Sequence, residues 1–224
     1  MRRLGLITLL AASLAGPAFA QTSDWNYEAG LCYDTKTPAA DRLPRCTAAI
    51  DLGKKQSMNV LDEAKLFTYR SGAYLSMRDY PNAIADADAA VKASAYDTQA
   101  LNMQCWTRAV ANVELDKARA ACTEAIRINK DDPNPFDSRG LVNLRDGKWA
   151  EAFEDYRVAA RFLTMPYSRY GAGLAVIAYG DVPRGEGLVA TALGRDPKAG
   201  DQLNELGFTP EKMKTIGAAK PKSD

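Results

Sequence analysis

The stretch PNPFDSRGLVNLRDGKWAEAFEDYRVAARFLTMP, residues 133–166, decides the fold. Gly140 stands on a first helical segment, Gly147 marks a turn, and Trp149, Ala152, Tyr156 and Ala159 follow at steps of three and four. That spacing puts all four on one face of a second helix. Small residues at Gly140, Ala152 and Ala159 let the two helices approach closely, while Phe136, Trp149 and Tyr156 fill the space between the hairpin and its neighbours. The motif is periodic. Ala118 and Ala83 precede Ala152 at steps of 34 and 35 residues, and Gly185 follows 33 residues on. A period of this size marks a stacked helical array, because one helix pair cannot bury its apolar face alone.

The same frame on residues 64–97 gives Phe67, Ser71, Tyr74, Tyr80, Ala83, Ala87 and Ala90, with Asp79 and Tyr80 at the turn. On residues 99–132 it gives Cys105, Trp106, Ala109, Leu115, Ala118, Cys122 and Ala125. A weaker copy over 166–198 carries Gly173, Val176, Gly180, Val182, Gly185, Val189, Ala192 and Pro197. Upstream, CTAAIDLG at 46–53 reads as the second helix of a degenerate first copy whose partner is AGLCYD at 29–34. With Phe136, Gly140, Trp149, Ala152, Tyr156 and Ala159 at its signature places, the chain resembles the tetratricopeptide repeat over about residues 27–208. The resemblance implies an all-α fold: a right-handed superhelical array of antiparallel helix pairs, a tetratricopeptide-like α-solenoid, in a single elongated domain.

Two copies depart from the pattern. Trp106 occupies the usual small place of its first helix, which predicts a locally wider hairpin. Pro183, Gly185 and Gly187 crowd the last second helix, and at about 1 kcal/mol per Gly relative to Ala this predicts a frayed or short element. Beyond the repeats, AGDQLNELGF at 199–208 has the length and polarity of a capping helix that ends at Gly207.

The first twenty residues do not belong to that fold. Arg2 and Arg3 precede an apolar run from Leu4 to Leu14, too short to span a bilayer, and Ala18, Phe19 and Ala20 supply the small residues of a cleavage site before Gln21. The expected organisation is a cleaved signal peptide at 1–20, an N-terminal segment with the degenerate repeat at 21–63, repeats at 64–198, a capping helix at 199–210 and a flexible tail at 211–224. With no Cys directly after the cleavage site, no lipid anchor is expected, and the address is the periplasm.

Four cysteines fit an exported chain, and an even count suggests two disulfides. Four cysteines permit three pairings. The repeat frame favours Cys105 with Cys122, on facing places of one hairpin, and by analogy Cys32 with Cys46 across a shorter loop containing Pro38. Each bond would contribute on the order of 3 kcal/mol by loop closure. Four buried thiols filling the core are the alternative, and no CysXaaXaaCys spacing supports a redox role.

Composition narrows the function classes. Removing Arg2 and Arg3 takes the formal charge from +1 to −1, and so balanced a surface argues against nucleic acid, whose phosphates select clustered Lys and Arg. The basic residues near the end, Lys212, Lys214, Lys220 and Lys222, read as a solvated tail. With no His anywhere, no Ser or Cys nucleophile has an imidazole base, and the commonest metal ligand is missing. No catalytic residue, cofactor or metal site is therefore expected. Asp86, Asp88, Glu154 and Asp155 read as exposed faces of second helices, and the Lys130–Asp132 loop lacks the oxygen spacing of a calcium site.

In tetratricopeptide arrays the first helices line a concave groove. The corresponding places here are Met103, Thr107, Val110 and Ala111, then Asp137, Leu141, Leu144 and Arg145, then Tyr167, Tyr170, Leu174, Ile177 and Ala178. The Lys, Arg and Asn that would grip a partner's terminal carboxylate are absent, with Thr68, Gly72, Gln104, Asn134 and Ser138 in their stead. The resemblance thus implies a protein–protein interaction module, an adaptor or scaffold subunit of a cell-envelope complex. It would take a peptide or helix in an apolar groove with Tyr167, Tyr170 and Arg145 as anchors. The alternatives are a self-assembling structural repeat with weak self-association, a carboxylate-based envelope hydrolase, and a groove covered by the chain itself, with Trp25 and Tyr27 or the C-terminal helix as plugs. Sequencing the N-terminus of the exported protein should return Gln21; retention of Met1 would remove the export reading.

Overall fold

The computed structural model describes residues 24–162 and 165–219; the expected signal peptide at 1–20 and the last five residues lie outside the described residues. Twelve helices follow in order: α1 Trp25–Tyr33, α2 Ala39–Lys55, α3 Val60–Ser76, α4 Tyr80–Ala93, α5 Thr98–Ala111, α6 Leu115–Ile128, α7 Asn134–Arg145, α8 Trp149–Ala159, α9 Pro166–Tyr179, α10 Val182–Arg195, α11 Asp201–Glu205 and α12 Pro210–Ala218. Ten of them form five antiparallel hairpins, α1–α2 to α9–α10. The odd-numbered helices also touch one another in succession, from α1 to α9, and so form the inner layer of a tetratricopeptide-like solenoid.

Local chemistry sets the helix ends. Asp24, Asn59, Asp79, Asp97, Asp181 and Thr209 each accept a hydrogen bond from a backbone N–H in the first turn of α1, α3, α4, α5, α10 and α12. Proline opens α4, α7, α9, α10 and α12 in the first turn, where its missing N–H would be unsatisfied anyway. Three hairpin turns place a left-handed residue at the same register: Arg78, Gly147 and Gly180. In each, the next N–H closes on a carbonyl five residues back, Asp79 to Tyr74, Lys148 to Asn143 and Asp181 to Val176.

The α5–α6 turn differs, and the difference corrects the reading of Trp106. Here the closing bond runs from Val113 to Arg108, one place early, and the left-handed residues are Asn112 and Glu114. Closing the turn one residue sooner shifts the register of α5 against α6 by about 100°. Cys105 therefore takes the small place against α6, where its Cα lies 5.4 Å from that of Cys122 in a disulfide. Trp106 turns to the inner side, half-buried, so the hairpin is not widened by it. The other disulfide joins Cys32 of α1 to Cys46 of α2, and no cysteine is free.

The remaining hairpins close at the same place by other means. The Ser71 hydroxyl donates to the Ala83 carbonyl oxygen at 2.7 Å, joining α3 to α4. In α7–α8 a Cβ on Gly140 would stand 2.9 Å from the Tyr156 ring, and one on Gly171 of α9 would stand 2.7 Å from it. Tyr156 is thus held between two glycines of successive first helices and is 1% exposed. In α9–α10 Gly173 faces Gly185 so closely that a Cβ on either would meet the other's carbonyl oxygen at 2.8 or 2.7 Å. This contact explains why α10 is not frayed: Pro183 lies in its first turn, Gly185 is required by the packing, and the helix runs unbroken to Arg195.

The C-terminal end is the larger correction. The expected capping helix shortens to α11, ending before Gly207 at φ 84°, and the segment expected to be a tail from 211 continues as α12. The ProGluLysMetLys stretch reads as a solvated end, but α12 has an apolar side made by Met213 and Ile216, and it packs on α9. Met213 is fully buried, and Gly217 lies so near the Ile177 carbonyl oxygen that a Cβ there would stand 2.8 Å from it. The core is correspondingly in two clusters, one from α1 to the start of α5 and one from there to Met213, with Val91 packing against both.

Four substitutions test this packing by thermal unfolding. Gly173→Ala and Gly185→Ala should each cost about 1–3 kcal/mol, because the added methyl meets backbone that cannot step aside. Gly187→Ala and Gly194→Ala, where a Cβ meets nothing within 4 Å, should stabilise by up to about 1 kcal/mol.

Candidate functional site

The concave side of the array is open only over its first half. On α3, Thr68, Gly72 and Ser76 recur at steps of four, and on α5, Gln99, Asn102, Met103, Trp106 and Val110 recur at three and four, so each set lies on one face. Together they floor a trough made of two adjoining depressions that share Gly72, Ser76 and Met103. The first, about 460 Å³, is walled by Thr35, Arg42, Tyr69, Asp132 and Asn134. The second, about 340 Å³, is walled by Leu75, Arg78, Tyr80, Trp106 and Val110, and its far end is closed by Gln202, Glu205 and Leu206 around α11. A third depression of about 610 Å³ opens between α1 and α2, but it shares no residue with α3 or α5 and its walls carry their own ion pair, Arg45 to Glu28 at 3.3 Å.

The predicted groove residues divide accordingly. Met103 and Val110 line the trough. Thr107 does not: it is buried, and its hydroxyl donates to the Met103 carbonyl oxygen at 2.9 Å within α5. Leu141, Leu144, Leu174 and Ile177 are fully buried, together with Tyr170 and Ala178. The cover over this half is the chain's own C-terminal segment. Leu203, Phe208 and Met213 join the same core cluster as Leu141, Leu174 and Ile177, and the Tyr170 hydroxyl donates to Asn204 Oδ1 at 2.8 Å. An apolar groove running to the last repeat is thereby corrected: the strip of Leu and Ile that reads as a binding surface is buried core, with α12 packed on its α9 part.

Arg145 is likewise a clasp. It donates to the carbonyl oxygens of Ala109 and Val110, both at 3.1 Å, satisfying the end of α5, and its guanidinium lies 5.0 Å from the centre of the Phe208 ring. Tyr167 remains partly exposed at the start of α9, away from the trough walls. Asp137 accepts from Ser168 Oγ at 2.5 Å between α7 and α9, and burial pushes its carboxyl up to about 6. The aromatic plugs expected at the other end do not reach the groove: Trp25 packs beside Tyr33, Met58 and Tyr69 in the N-terminal cluster, and Tyr27 is 63% exposed.

Sequence reading missed Arg42 of α2, Tyr33 of α1 and Tyr69 in the middle of α3. Of the places marked for carboxylate-gripping residues, Thr68, Gly72 and Asn134 do line the trough, while Gln104 turns away and donates to Asp88 Oδ1 at 2.8 Å. Among the described residues no group of three His, Cys, Asp or Glu is placed to hold a metal, and no helix is long and apolar enough to cross a membrane.

No protein-family model matches the sequence, and comparison with curated proteins finds no match. Solved structures do match in shape. The thermophilic tetratricopeptide protein TTC0263 of Thermus thermophilus superposes with a TM-score of 0.62 at 15% identity, covering 82% of this chain and 97% of that one. The structure described as MamA MSR-1 C2 gives 0.57 at 10% identity, over 78% and 95%, and another MamA crystal structure gives 0.53 at 17%, over 82% and 93%. At these identities the likeness is one of fold: the chain is built as a tetratricopeptide-like array.

Charge placed in the two halves should separate them. Leu144→Glu and Ile177→Glu should each lower stability by a few kcal/mol in denaturant titration, since the carboxylate enters a sealed interface. Met103→Glu, on the trough floor, should stay within about 0.5 kcal/mol of the parent.

Proposed function

We propose that the protein is an interaction module of the bacterial cell envelope that binds an extended segment of a partner protein along the trough between α3 and α5. The observation that carries this is the asymmetry of the concave face. The inner surface of α9 is covered by the chain's own α12 and the inner leucines of α7 are buried in the same core, whereas the inner surfaces of α3 and α5 are left uncovered as one channel through Gly72, Ser76 and Met103. Gly72 adds to it: a Cβ there would meet only the Met103 terminal methyl, at 3.7 Å, so the bare backbone is not demanded by packing and keeps the floor flat. Extended segments seat on such surfaces through a few apolar and polar pockets in line.

The envelope address is supported by the leader-like sequence before Gln21 and by both cysteine pairs standing bonded, a state that persists in oxidising compartments. The polar groups of the trough are amides, hydroxyls, the Arg42 and Arg78 guanidiniums and the Asp132 and Glu205 carboxylates, a set suited to holding a chain.

The test is a crosslinking capture from periplasm with the mature chain beside Gly72→Trp, which fills the trough without touching packed backbone. The variant should keep the parent's melting temperature, since replacing a helical glycine favours the helix, while losing the captured partner. Recovery of the same proteins by both would place binding on another surface.

A further inference from the structure

Four buried side-chain polar atoms have no hydrogen-bond partner among the described residues: Tyr33 Oη, Arg42 Nε, Asn102 Oδ1 and Arg119 Nε. Two of the four residues, Arg42 and Asn102, line the wider depression of the trough. Tyr33 stands directly behind its wall, with its ring 4.7 Å from that of Tyr69. Unsatisfied polar atoms are uncommon in a folded interior and are not expected to gather at one place by chance.

Arg42 is the most demanding of them. It is 6% exposed, yet its only hydrogen bond runs from Nη1 to the Cys32 carbonyl oxygen at 3.3 Å, and it enters no ion pair among the described residues. The other guanidinium as deeply buried, Arg108, shows what the fold ordinarily supplies: Asp88 at 2.8 Å and Glu114 at 3.0 Å. A buried cation without a counter-charge is unfavourable, and an arriving carboxylate meets a donor set already stripped of water.

Resting on the reading of the trough as a partner-binding channel, we infer that Arg42 anchors an Asp or Glu side chain of the bound segment, with Asn102 Oδ1 accepting a backbone N–H beside it. The acid belongs to an internal residue, because the trough does not stop at Arg42's depression but continues past Gly72 and Met103 into the second one. Its two ends differ in chemistry. The Arg42 end offers Thr68, Asn102 and Asn134 beside the Asp132 carboxylate, and the α11 end sets the apolar Leu75, Trp106, Val110 and Leu206 beside Arg78 and Glu205, whose charges pair at 3.8 Å. The recognised segment therefore places an acid at the Arg42 end and an apolar residue against Leu75, Trp106 and Val110 at the other.

The probe is a nonapeptide library blocked at both ends, with one position fixed at a time, presented to the full mature chain. The parent should select Asp or Glu over Asn or Gln by about tenfold at one position, the worth of a charge-assisted bond to a buried guanidinium, and apolar residues further along. Arg42→Met should erase the acid preference, keep the apolar one, and melt no lower than the parent, because no ion pair is lost. Should Arg42→Met fail to give a native helical spectrum, Asn102→Asp is the second variant: it sets a carboxylate beside the anchor and should abolish the acid preference alone. Acid selection unchanged in these variants, or transferred to the free terminus of an unblocked library, would overturn the inference. Binding that weakens as the protein is concentrated would place a second copy in the trough and overturn it as well. Apolar selection without any acid preference would overturn it while leaving the binding function standing, and no selection by the parent would remove both.

Discussion

Close approach of two helices at one repeated place is the constraint on which the rest of this structure depends. A first helix can lie against its second helix only if the residue there is small or is itself the bond. The five hairpins meet that demand in different ways: disulfides in α1–α2 and α5–α6, a hydroxyl on a carbonyl oxygen in α3–α4, glycine against the Tyr156 ring in α7–α8, and glycine against glycine in α9–α10. Once that distance is set, the large residues between hairpins have no freedom. Tyr156, caught between Gly140 and Gly171, couples α8 to the first helices on both sides and transmits the stacking along the array.

Charge reinforces the same geometry on the outside. Arg70 forks onto Asp86 at 2.7 and 2.8 Å and also donates to Thr47 of the preceding hairpin; Arg139 repeats the arrangement on Asp155, at 2.9 and 2.6 Å, and Thr123. Each such arginine ties its own hairpin and the one before it, and the bidentate fork holds orientation better than a point charge would. The aspartates are thus not simply solvated helix faces. Arg145 has no carboxylate but donates to two carbonyl oxygens and meets the Phe208 ring; Arg42, buried with a single carbonyl oxygen, stands apart, and the contrast gives it functional weight.

The C-terminal segment divides the concave face into a structural half and an exposed half. Leu203, Phe208 and Met213 join the core formed by the inner apolar residues of α7 and α9, and Arg145 ties this segment down through Phe208 while ending α5. An array that ends without such a cover exposes its last interface to water and to other chains. Covering it leaves the first half, with its mixture of amide, hydroxyl and aromatic groups, as the inner surface available to a partner.

The sequence by itself determined the helical array, because a 34-residue period of small and aromatic residues has one economical packing, and it put Cys105 and Cys122 on the two helices of one hairpin. On α5 it marked Met103 and Val110, which line the trough, together with Thr107, which is buried. It did not reveal which inner residues stay open, since an apolar strip facing a partner and one facing the chain's own end have the same composition, and the ProGluLysMetLys stretch that covers them carries too few apolar residues to stand out. A shift of one residue in the α5–α6 turn, set by backbone conformation at Asn112 and Glu114, moved Trp106 from a supposed misfit to the trough wall. Arg42 lies in a segment with no repeat signal, and only the folding of α2 against α1 and α3 buries its charge beside Asn102; pairwise distance across the chain, which no local pattern encodes, decided the site.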